Sequence, residues 1–332
     1  MKKVLALSMG DYNGIGPEII LKAIHAYPSP DTSFVLCGHP SVFKHYAERS
    51  GLPAEWKIIN EPKEVTEGTR VHLLKCVPDK LISVQPGTFT ANTGRAAMRS
   101  VEAAIRLCRQ SVADAMVTAP ISKEAIQLGG YAVPGHTEYL ADQTGGSDFL
   151  MILASGNLRV ALNTIHLPLR EVPDAINKSD TERRIRLFHR GLQQDFNIPK
   201  PKIAVFGLNP HAGDGGVLGQ EEADIISPAL NNLRQKGLHV DGPFAADGFF
   251  GMKRQEAYDG IFAMYHDQGL APFKALTFGK GVNITAGLPI VRTSPDHGTA
   301  FDIAGTNRAA HSSFLEACMM AESISHNRLA HD

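Results

Sequence analysis

Short aliphatic runs alternate with amphipathic stretches along this chain, which is the pattern of an α/β protein. The runs are dense in Val, Ile, Leu and Ala and do not alternate strictly with polar residues, as expected for strands covered on both faces. Met98, Val101, Ile105 and Cys108 recur at intervals of three and four residues and predict one buried helical face. The predicted strands are residues 4–9, 34–37, 115–118, 151–153, 160–163, 203–206 and 260–264.

Composition excludes several classes of protein. The 332 residues include 33 Lys and Arg against 34 Asp and Glu, a formal net charge of −1, which argues against a nucleic-acid partner. The apolar runs are far shorter than the ~20 residues that span a bilayer, and the first one is too short for a signal peptide. The four cysteines form no CxxC pair, so neither a thiolate zinc site nor a disulfide framework is expected. These features predict a cytoplasmic protein without a membrane partner.

Three histidines follow predicted strands in the same way: His166, His211 and His266. Ligands of open α/β sheets bind outside the carboxyl ends of the strands, and neutral imidazole is a common metal ligand. Three such residues would suit a catalytic divalent ion, with Asp247 and Asp267 as the nearest carboxylates. Their wide spacing matches no local metal motif, however, and each could equally be a hydrogen-bonded loop residue.

A second group of residues could hold an anionic substrate. His136 and Thr137 follow Gly135 where a helix is predicted to open, which is either an anion-binding helix start or a plain N-cap. Lys274 and Arg292 are cations near glycine-rich sequence, and each is either an anchor for phosphate or carboxylate or a solvated charge. Glycine-rich loops are expected at residues 207–219 and 279–287.

No GxGxxG dinucleotide fingerprint occurs in the sequence. The nearest run is residues 10–18, GDYNGIGPE, which follows the first predicted strand. Pro17 suits the first turn of a helix, and Gly14 and Gly16 suit a tight turn before it. On its motif alone, this loop does not indicate a nicotinamide site.

Taken together, seven segments resemble the 4-hydroxythreonine-4-phosphate dehydrogenase family, and the resemblance runs along nearly the whole chain. The family resemblance implies an α/β fold of two domains like that of isocitrate and isopropylmalate dehydrogenases, with the active site in the interdomain cleft at a dimer interface. It implies a first domain of residues 1–130 plus 286–332 and a second of residues 131–285. The segments are 10–18 (GDYNGIGPE), 134–141 (PGHTEYLA), 164–170 (TIHLPLR), 207–216 (GLNPHAGDGG), 263–274 (AMYHDQGLAPFK), 278–289 (FGKGVNITAGLP) and 292–305 (RTSPDHGTAFDIAG).

The same resemblance assigns roles to individual residues. The metal, which is zinc, magnesium, manganese or cobalt, is expected on histidines contributed by both subunits of a homodimer: His166, His211 and His266. The substrate-binding positions are His136, Thr137, Lys274, Asn283 and Arg292. The positions expected to contact the adenosine half of NAD are His297, Gly298, Thr299, Ala300 and Asp302.

The implied reaction is the NAD-dependent oxidation of 4-phosphohydroxy-L-threonine to a β-keto acid, which loses CO₂ to give 3-amino-2-oxopropyl phosphate in vitamin B6 biosynthesis. The general base stays open between Asp247, Asp267 and Lys274. One alternative is a paralogue that oxidises D-threonate or D-erythronate 4-phosphate, and another is a non-catalytic metabolite-binding module. By the same resemblance, Tyr12 and Asn13 stand where many relatives have Pro-Ala, beside a potential site.

Overall fold

The computed structural model describes residues 2–133, 136–146 and 148–330, and for residues 136–138 it describes the backbone alone. Two compact units make up the chain. The first unit is Met1–Asp148 with Leu288–Ser325, and the second unit is Phe149–Gly287 with His326–Asp332. Relative to the predicted domains, the helix at residues 136–144 therefore groups with the first unit, and the residues from His326 onward group with the second.

Strands are present in both units, and the predicted α/β class is confirmed. In chain order, the described strands are β1 (Lys3–Ser8), β2 (Thr32–Gly38), β3 (Lys57–Ile59), β4 (Val71–Lys75), β5 (Ala115–Thr118), β6 (Leu150–Ser155), β7 (Leu158–Leu162), β8 (Lys202–Phe206), β9 (His239–Phe244), β10 (Gly260–Ala263), β11 (Val282–Ala286) and β12 (Arg292–Pro295).

The helices start and end where the sequence provides suitable residues. Pro17 lies in the first turn of the first helix, as predicted, and Thr90 caps the third by accepting a hydrogen bond from the Thr93 amide. In chain order, the described helices are α1 (Gly16–Ala26), α2 (Pro40–Ser50), α3 (Ala91–Arg109), α4 (Lys123–Leu128), α5 (His136–Thr144), α6 (Val172–Ala175), α7 (Lys178–Gln194), α8 (Ser227–Gln235), α9 (Ala246–Gly251), α10 (His266–Thr277) and α11 (Ser312–Leu329).

In the first unit, β1 lies between β2 and β5 and pairs with both in parallel, so that the strand order is β3-β4-β2-β1-β5-β12. The side chains of β1 pack on both faces, and Leu5 and Leu7 are fully buried. On α3, Met98, Val101 and Ile105 are buried as their spacing predicted, whereas Cys108 is half-buried. Helices therefore cover this mostly parallel sheet, which explains why its strands read as continuous aliphatic runs.

In the second unit, the strand order is β11-β6-β7-β10-β8-β9. The strands β7, β10, β8 and β9 pair in parallel, whereas β6 is antiparallel to β7 and to β11. The core beside them contains Phe206 and Phe249, whose ring centroids lie 5.1 Å apart in an edge-to-face arrangement. Parallel pairing places the carboxyl ends of β7, β10 and β8 side by side at one edge of the sheet.

All seven predicted strands are present, and their ends differ from the prediction by at most two residues. The hydrophobic pattern did not reveal β3, β4, β9, β11 or β12. The prediction of a glycine-rich loop at residues 279–287 was wrong, because β11 occupies most of it and is held by pairing with β6. The pattern did not reveal strand β12 because three of its four buried residues are polar: Arg292, Thr293 and Ser294. No helix within the described ranges is long and apolar enough to cross a membrane.

Helix α3 approaches α4 so closely that Gly94 has no room for a side chain. A Cβ atom added there would lie 2.0 Å from the carbonyl oxygen of Ala125, which is backbone and cannot rotate away. We therefore expect Gly94→Ala to lower the thermal unfolding midpoint, at a cost of about 1–3 kcal/mol from overpacking. Gly251→Ala is the matched control, because a Cβ atom at Gly251 meets no atom within 4 Å. Equal midpoints for the two variants would contradict this packing.

Candidate active site

The three predicted metal ligands follow neighbouring strands of the second unit. His166 comes shortly after β7 ends, His211 shortly after β8, and His266 opens α10 just beyond β10. Because β10 lies between β7 and β8 and is parallel to both, these histidines follow three adjacent carboxyl ends. Ligand sites of α/β proteins lie at this edge of the sheet.

His166 and His266 lie together, with ring centroids 5.9 Å apart. The Nδ1 atom of His266 is 2.7 Å from a carboxylate oxygen of Asp267. A neutral imidazole that donates its Nδ1–H to a carboxylate has its lone pair on Nε2, where it can bind a cation. Carboxylates commonly orient metal-binding histidines in this way. The predicted carboxylate Asp267 is therefore in place to hold His266.

His211 lies in a turn of unusual backbone conformation. Residues 211–216 all have positive φ, including 53° at His211, 52° at Ala212 and 44° at Asp214. The left-handed helical conformation costs an L-residue roughly 1–2 kcal/mol, which explains why the other three residues are glycines. We call residues 211–216 the left-handed turn.

The structure thus brings two of the three histidines together within one chain. Among the residues that it describes, no three His, Cys, Asp or Glu side chains come close enough to hold a metal ion. The imidazole donor set and the pairing of His266 with Asp267 nevertheless fit a divalent cation. The three-histidine site remains a prediction.

One residue that sequence reasoning missed connects two of these segments. The Gln268 side-chain amide donates to the carbonyl oxygen of Gly207 at 2.7 Å, and its oxygen accepts from the Met264 amide at 2.7 Å. Gly207 begins the loop that leads to His211, and Met264 precedes His266. Gln268 therefore ties together the ends of β8 and β10. Only its position beside His266 could have drawn attention to it.

The other predicted residues of the second unit lie on different elements. Lys274 is exposed and lies about two turns beyond His266 on α10, and Asp247 is exposed on α9. Asn283 lies on β11, where its Oδ1 atom is buried and has no hydrogen-bond partner among the described residues. A buried unpaired acceptor of this kind favours a ligand that donates a hydrogen bond.

In the first unit, Arg292 on β12 is only 3% exposed. Its Nε and Nη2 atoms donate to the hydroxyl of Thr118, at 3.1 and 2.8 Å, where β5 ends. A guanidinium held by its Nε edge keeps a fixed direction, which suits the recognition of carboxylate or phosphate. His136 begins α5 as the sequence predicted, whereas the side chains of His136 and Thr137 lie outside the described part, as does Gly135.

The predicted nucleotide loop, residues 297–305, connects β12 to α11 through a series of turns. The Ile15 amide donates to the carbonyl of Thr299 at 3.0 Å, and a Cβ atom on Gly14 would lie 2.9 Å from that oxygen. Arg49 donates to the carbonyl of Gly305 at 2.7 Å. The turn at residues 10–16 therefore supports this loop, and Gly14 permits the close approach.

The contacts of the nucleotide loop leave one polar atom available. The Nε2 atom of His297 is buried without a hydrogen-bond partner in the described part of the chain, while its Nδ1 atom lies 3.1 Å from the carbonyl of Gly298. A Cβ atom added to Gly298 would meet nothing within 4 Å, so the backbone there is open. These features fit a loop that can receive part of a cofactor.

Tyr12 and Asn13 of the first loop point inward. Tyr12 is 1% exposed and donates its hydroxyl hydrogen to the carbonyl of Leu81 at 2.8 Å. Asn13 is equally buried, and its Oδ1 atom accepts from the Gln85 amide at 2.8 Å. Tyr12 and Asn13 therefore attach the first loop to residues 81–85 through hydrogen bonds.

Comparison with known proteins agrees with this layout. The family model of pyridoxal phosphate biosynthetic protein PdxA matches residues 31–321. A 4-hydroxythreonine-4-phosphate dehydrogenase from Prosthecochloris aestuarii is 45% identical, over 98% of both chains. The solved 4-hydroxythreonine-4-phosphate dehydrogenase of Klebsiella pneumoniae superposes with a TM-score of 0.85 at 39% identity, covering 98% of both chains. A terephthalate 1,2-cis-dihydrodiol dehydrogenase from Burkholderia xenovorans has a TM-score of 0.65 at 29% identity, covering 97% of this chain and 98% of its own.

Asp11 lies in the first loop and is fully buried. Burial raises its pKa from 3.8 to about 6, although hydrogen bonds from Thr93 and Asn13 act in the opposite direction. The folded protein therefore keeps a proton that the unfolded chain has lost between these two values. The stability that this proton provides is full below about pH 4 and is lost as the pH rises through about 6.

We accordingly expect the free energy of unfolding of Asp11→Asn, which is neutral at every pH, to rise by about 2 kcal/mol relative to that of the unsubstituted protein between pH 4 and 7.5. Urea unfolding at both pH values measures this difference. The exposed Asp31→Asn is the control and should show no such gain. If the free energies of unfolding of the unsubstituted protein and Asp11→Asn changed in parallel with pH, the raised pKa of Asp11 would be refuted.

Proposed function

This chain belongs to the PdxA family of pyridoxal phosphate biosynthetic proteins, and we propose that it is an NAD-dependent, divalent-metal-dependent dehydrogenase acting on 4-phosphohydroxy-L-threonine. The substrate's secondary alcohol becomes a ketone, and the resulting β-keto acid loses CO₂ to give 3-amino-2-oxopropyl phosphate. The observation that carries the proposal is the pair His166 and His266, 5.9 Å apart at adjacent strand ends, with His266 oriented by Asp267.

We assign the divalent ion to His166, His211 and His266, with ligands from both copies of a homodimer as the family resemblance implies. When bound, such an ion supplies a Lewis acid beside the substrate oxygen. The protein's own contribution is to orient each imidazole. Asp267 performs this for His266 by accepting its Nδ1–H.

The substrate's two anionic groups require cations and fixed hydrogen-bonding groups. Arg292 suits this task because its guanidinium is buried and held in direction by Thr118. Lys274 supplies a second positive charge, and Asn283 supplies an amide. We assign all three to substrate binding together with His136 and Thr137. Fixing both ends of the substrate fixes the C–H bond that is to be broken.

The proton of the alcohol must pass to a general base. Asp267 is engaged with His266, which favours a positioning role for it. Because Lys274 serves as a cation and an ammonium group cannot accept a proton, Asp247 is the group left to take it. We assign the adenosine half of NAD to His297, Gly298, Thr299, Ala300 and Asp302, because this loop offers an exposed backbone at Gly298 and an available His297 Nε2.

The decisive experiment follows NADH absorbance with 4-phosphohydroxy-L-threonine and, separately, with D-threonate and D-erythronate 4-phosphates, each with and without a chelator. We expect chelator-sensitive NADH formation from the amino substrate. His211→Ala should lose at least 100-fold in kcat/KM because a metal ligand is removed. Preference for a sugar-acid phosphate would move the enzyme to sugar-acid catabolism. Absence of NADH formation with all three substrates would contradict the dehydrogenase assignment and favour a metabolite-binding module.

The role of Arg292 predicts a specific kinetic effect. Arg292→Lys keeps the positive charge but cannot reproduce two hydrogen bonds to Thr118 and a directed guanidinium edge. We expect the KM for the phosphorylated substrate to rise about 10–100-fold while the KM for NAD stays unchanged. Arg328→Lys is the matched control, because Arg328 is tied by its Nε atom to Asp195. A rise confined to the KM for NAD would remove Arg292 from the substrate site.

A further inference from the structure

Glu222 is a buried carboxylate beside the loop that carries His211, and neither motif nor spacing pointed to it. It is 6% exposed. Its Oε1 atom accepts from the backbone amides of Leu208 and Asn209, at 2.7 and 2.8 Å. Its Oε2 atom accepts from the Asn209 side-chain amide at 3.0 Å. Three donors thus converge on one carboxylate, and they come from the residues that lead into the left-handed turn.

Two glycines make room for this carboxylate. A Cβ atom on Gly207 would lie 2.9 Å from Glu222 Oε1, and one on Gly213 would lie 2.6 Å from Oε2. Gly213 belongs to the left-handed turn and Gly207 directly follows β8. The carboxylate therefore fills the space enclosed by the loop, so that moving Glu222 would remove packing and hydrogen bonds together.

The left-handed turn needs such a support. His211, Ala212 and Asp214 have side chains and yet adopt positive φ, which the chain would relax if nothing held it. On its C-terminal side, the turn is joined to the residues that follow it by a backbone hydrogen bond from Leu218 N–H to Gly213 O, at 3.1 Å. Toward β8, the Ala212 amide donates to the carbonyl of Asn209 at 3.1 Å, and Asn209 is itself held by the hydrogen bonds that its backbone and side-chain amides donate to Glu222.

We propose that Glu222 is a positioning residue that presents His211 to the divalent ion by fixing the left-handed turn. This inference rests on the proposed function, in which His211 is a metal ligand. Glu222 acts through the loop, to which its two oxygens are bound by three hydrogen bonds. Groups that orient a metal ligand commonly affect metal affinity by about 10–100-fold.

The charge and the chemical form of Glu222 are both required. An amide at this position has one acceptor oxygen and one NH₂ group. Because donors face both carboxylate oxygens, the NH₂ group of Glu222→Gln would face an N–H donor in either orientation. The substitution keeps the volume of the side chain and disturbs only the hydrogen bonds that hold the loop.

Glu221 is the matched control. Its carboxylate accepts a hydrogen bond from the Asn209 side chain at 2.7 Å, but it accepts neither of the two backbone donors that lead into the turn. Glu221 is also more exposed than Glu222. Glu221→Gln therefore changes the same charge at a neighbouring position and leaves the backbone contacts in place.

The test titrates the metal-stripped, full-length protein with Co²⁺ alone and records calorimetric affinity and the visible absorption of the bound ion. We expect Glu222→Gln to weaken Co²⁺ binding about 10–100-fold and to alter its spectrum, with circular dichroism unchanged. Glu221→Gln should stay within about twofold of the unsubstituted protein, and His211→Ala should weaken binding at least as much as Glu222→Gln. A purely structural role would lower the thermal midpoint without changing the spectrum.

Asn209→Ala is a milder variant in case Glu222→Gln does not fold. It removes the side-chain donor and keeps both backbone donors, so a smaller loss of Co²⁺ affinity than that of His211→Ala is expected. Unchanged Co²⁺ binding in Glu222→Gln and Asn209→Ala, with binding impaired in His211→Ala, overturns the inference and leaves the metal role of His211 standing. Unchanged binding in His211→Ala overturns the metal role itself, and the inference with it.

Discussion

The candidate metal site depends on the parallel pairing of β10 with β7 on one side and β8 on the other. Parallel strands end at the same edge of a sheet, so the residues that follow them are brought together however far apart they lie in the chain. This pairing carries His166 and His266 to within 5.9 Å of each other, and it puts the loop that carries His211 at the neighbouring strand end. Gln268 reinforces the same edge by bonding to backbone groups beyond β8 and β10.

Around this edge, the protein retains local conformations that would be unfavourable in isolation. A run of positive φ angles surrounds His211, and a carboxylate is buried at Glu222. The two features stabilise each other. The carboxylate of Glu222 accepts hydrogen bonds from the backbone amides of the loop, and the glycines of the loop leave space for the carboxylate. Strained backbone of this kind persists where the surrounding structure over-determines it, as at many functional sites.

The first unit also buries polar groups beside its candidate ligand-binding residues. Its first loop combines the buried Asp11, Tyr12 and Asn13 with Gly14, which lets Thr299 approach. The buried polar strand β12 presents Arg292 at its first residue, directed by Thr118. Polar groups buried in this way need partners, which is why both the loop and the strand are rich in side chain hydrogen bonds.

Much of this protein was determined by its sequence alone. Aliphatic runs gave seven strands and the α/β class, the periodicity of α3 gave its buried face, and seven segments gave the family. These features depend on local composition and spacing, which a linear pattern retains. Arg292 was noted as a cation near glycine-rich sequence, but the substrate-binding roles expected of Asn283 and Arg292 came from the family resemblance, since a polar residue in a strand has no distinctive hydrophobic period.

Tertiary structure decided the rest. The sequence could not show that β10 separates β7 from β8, because strand order depends on long-range pairing. It hid β12, because Arg292, Thr293 and Ser294 are polar and are buried by neighbouring strands. It also hid β11, which is short and lies among glycines, until pairing with β6 is seen. It gave no sign of Glu222 or Gln268, since a carboxylate or an amide acquires a specific role only when the fold brings distant backbone groups to it. Local residue types fix which elements can form, whereas contacts between residues far apart in the chain fix which side chains meet.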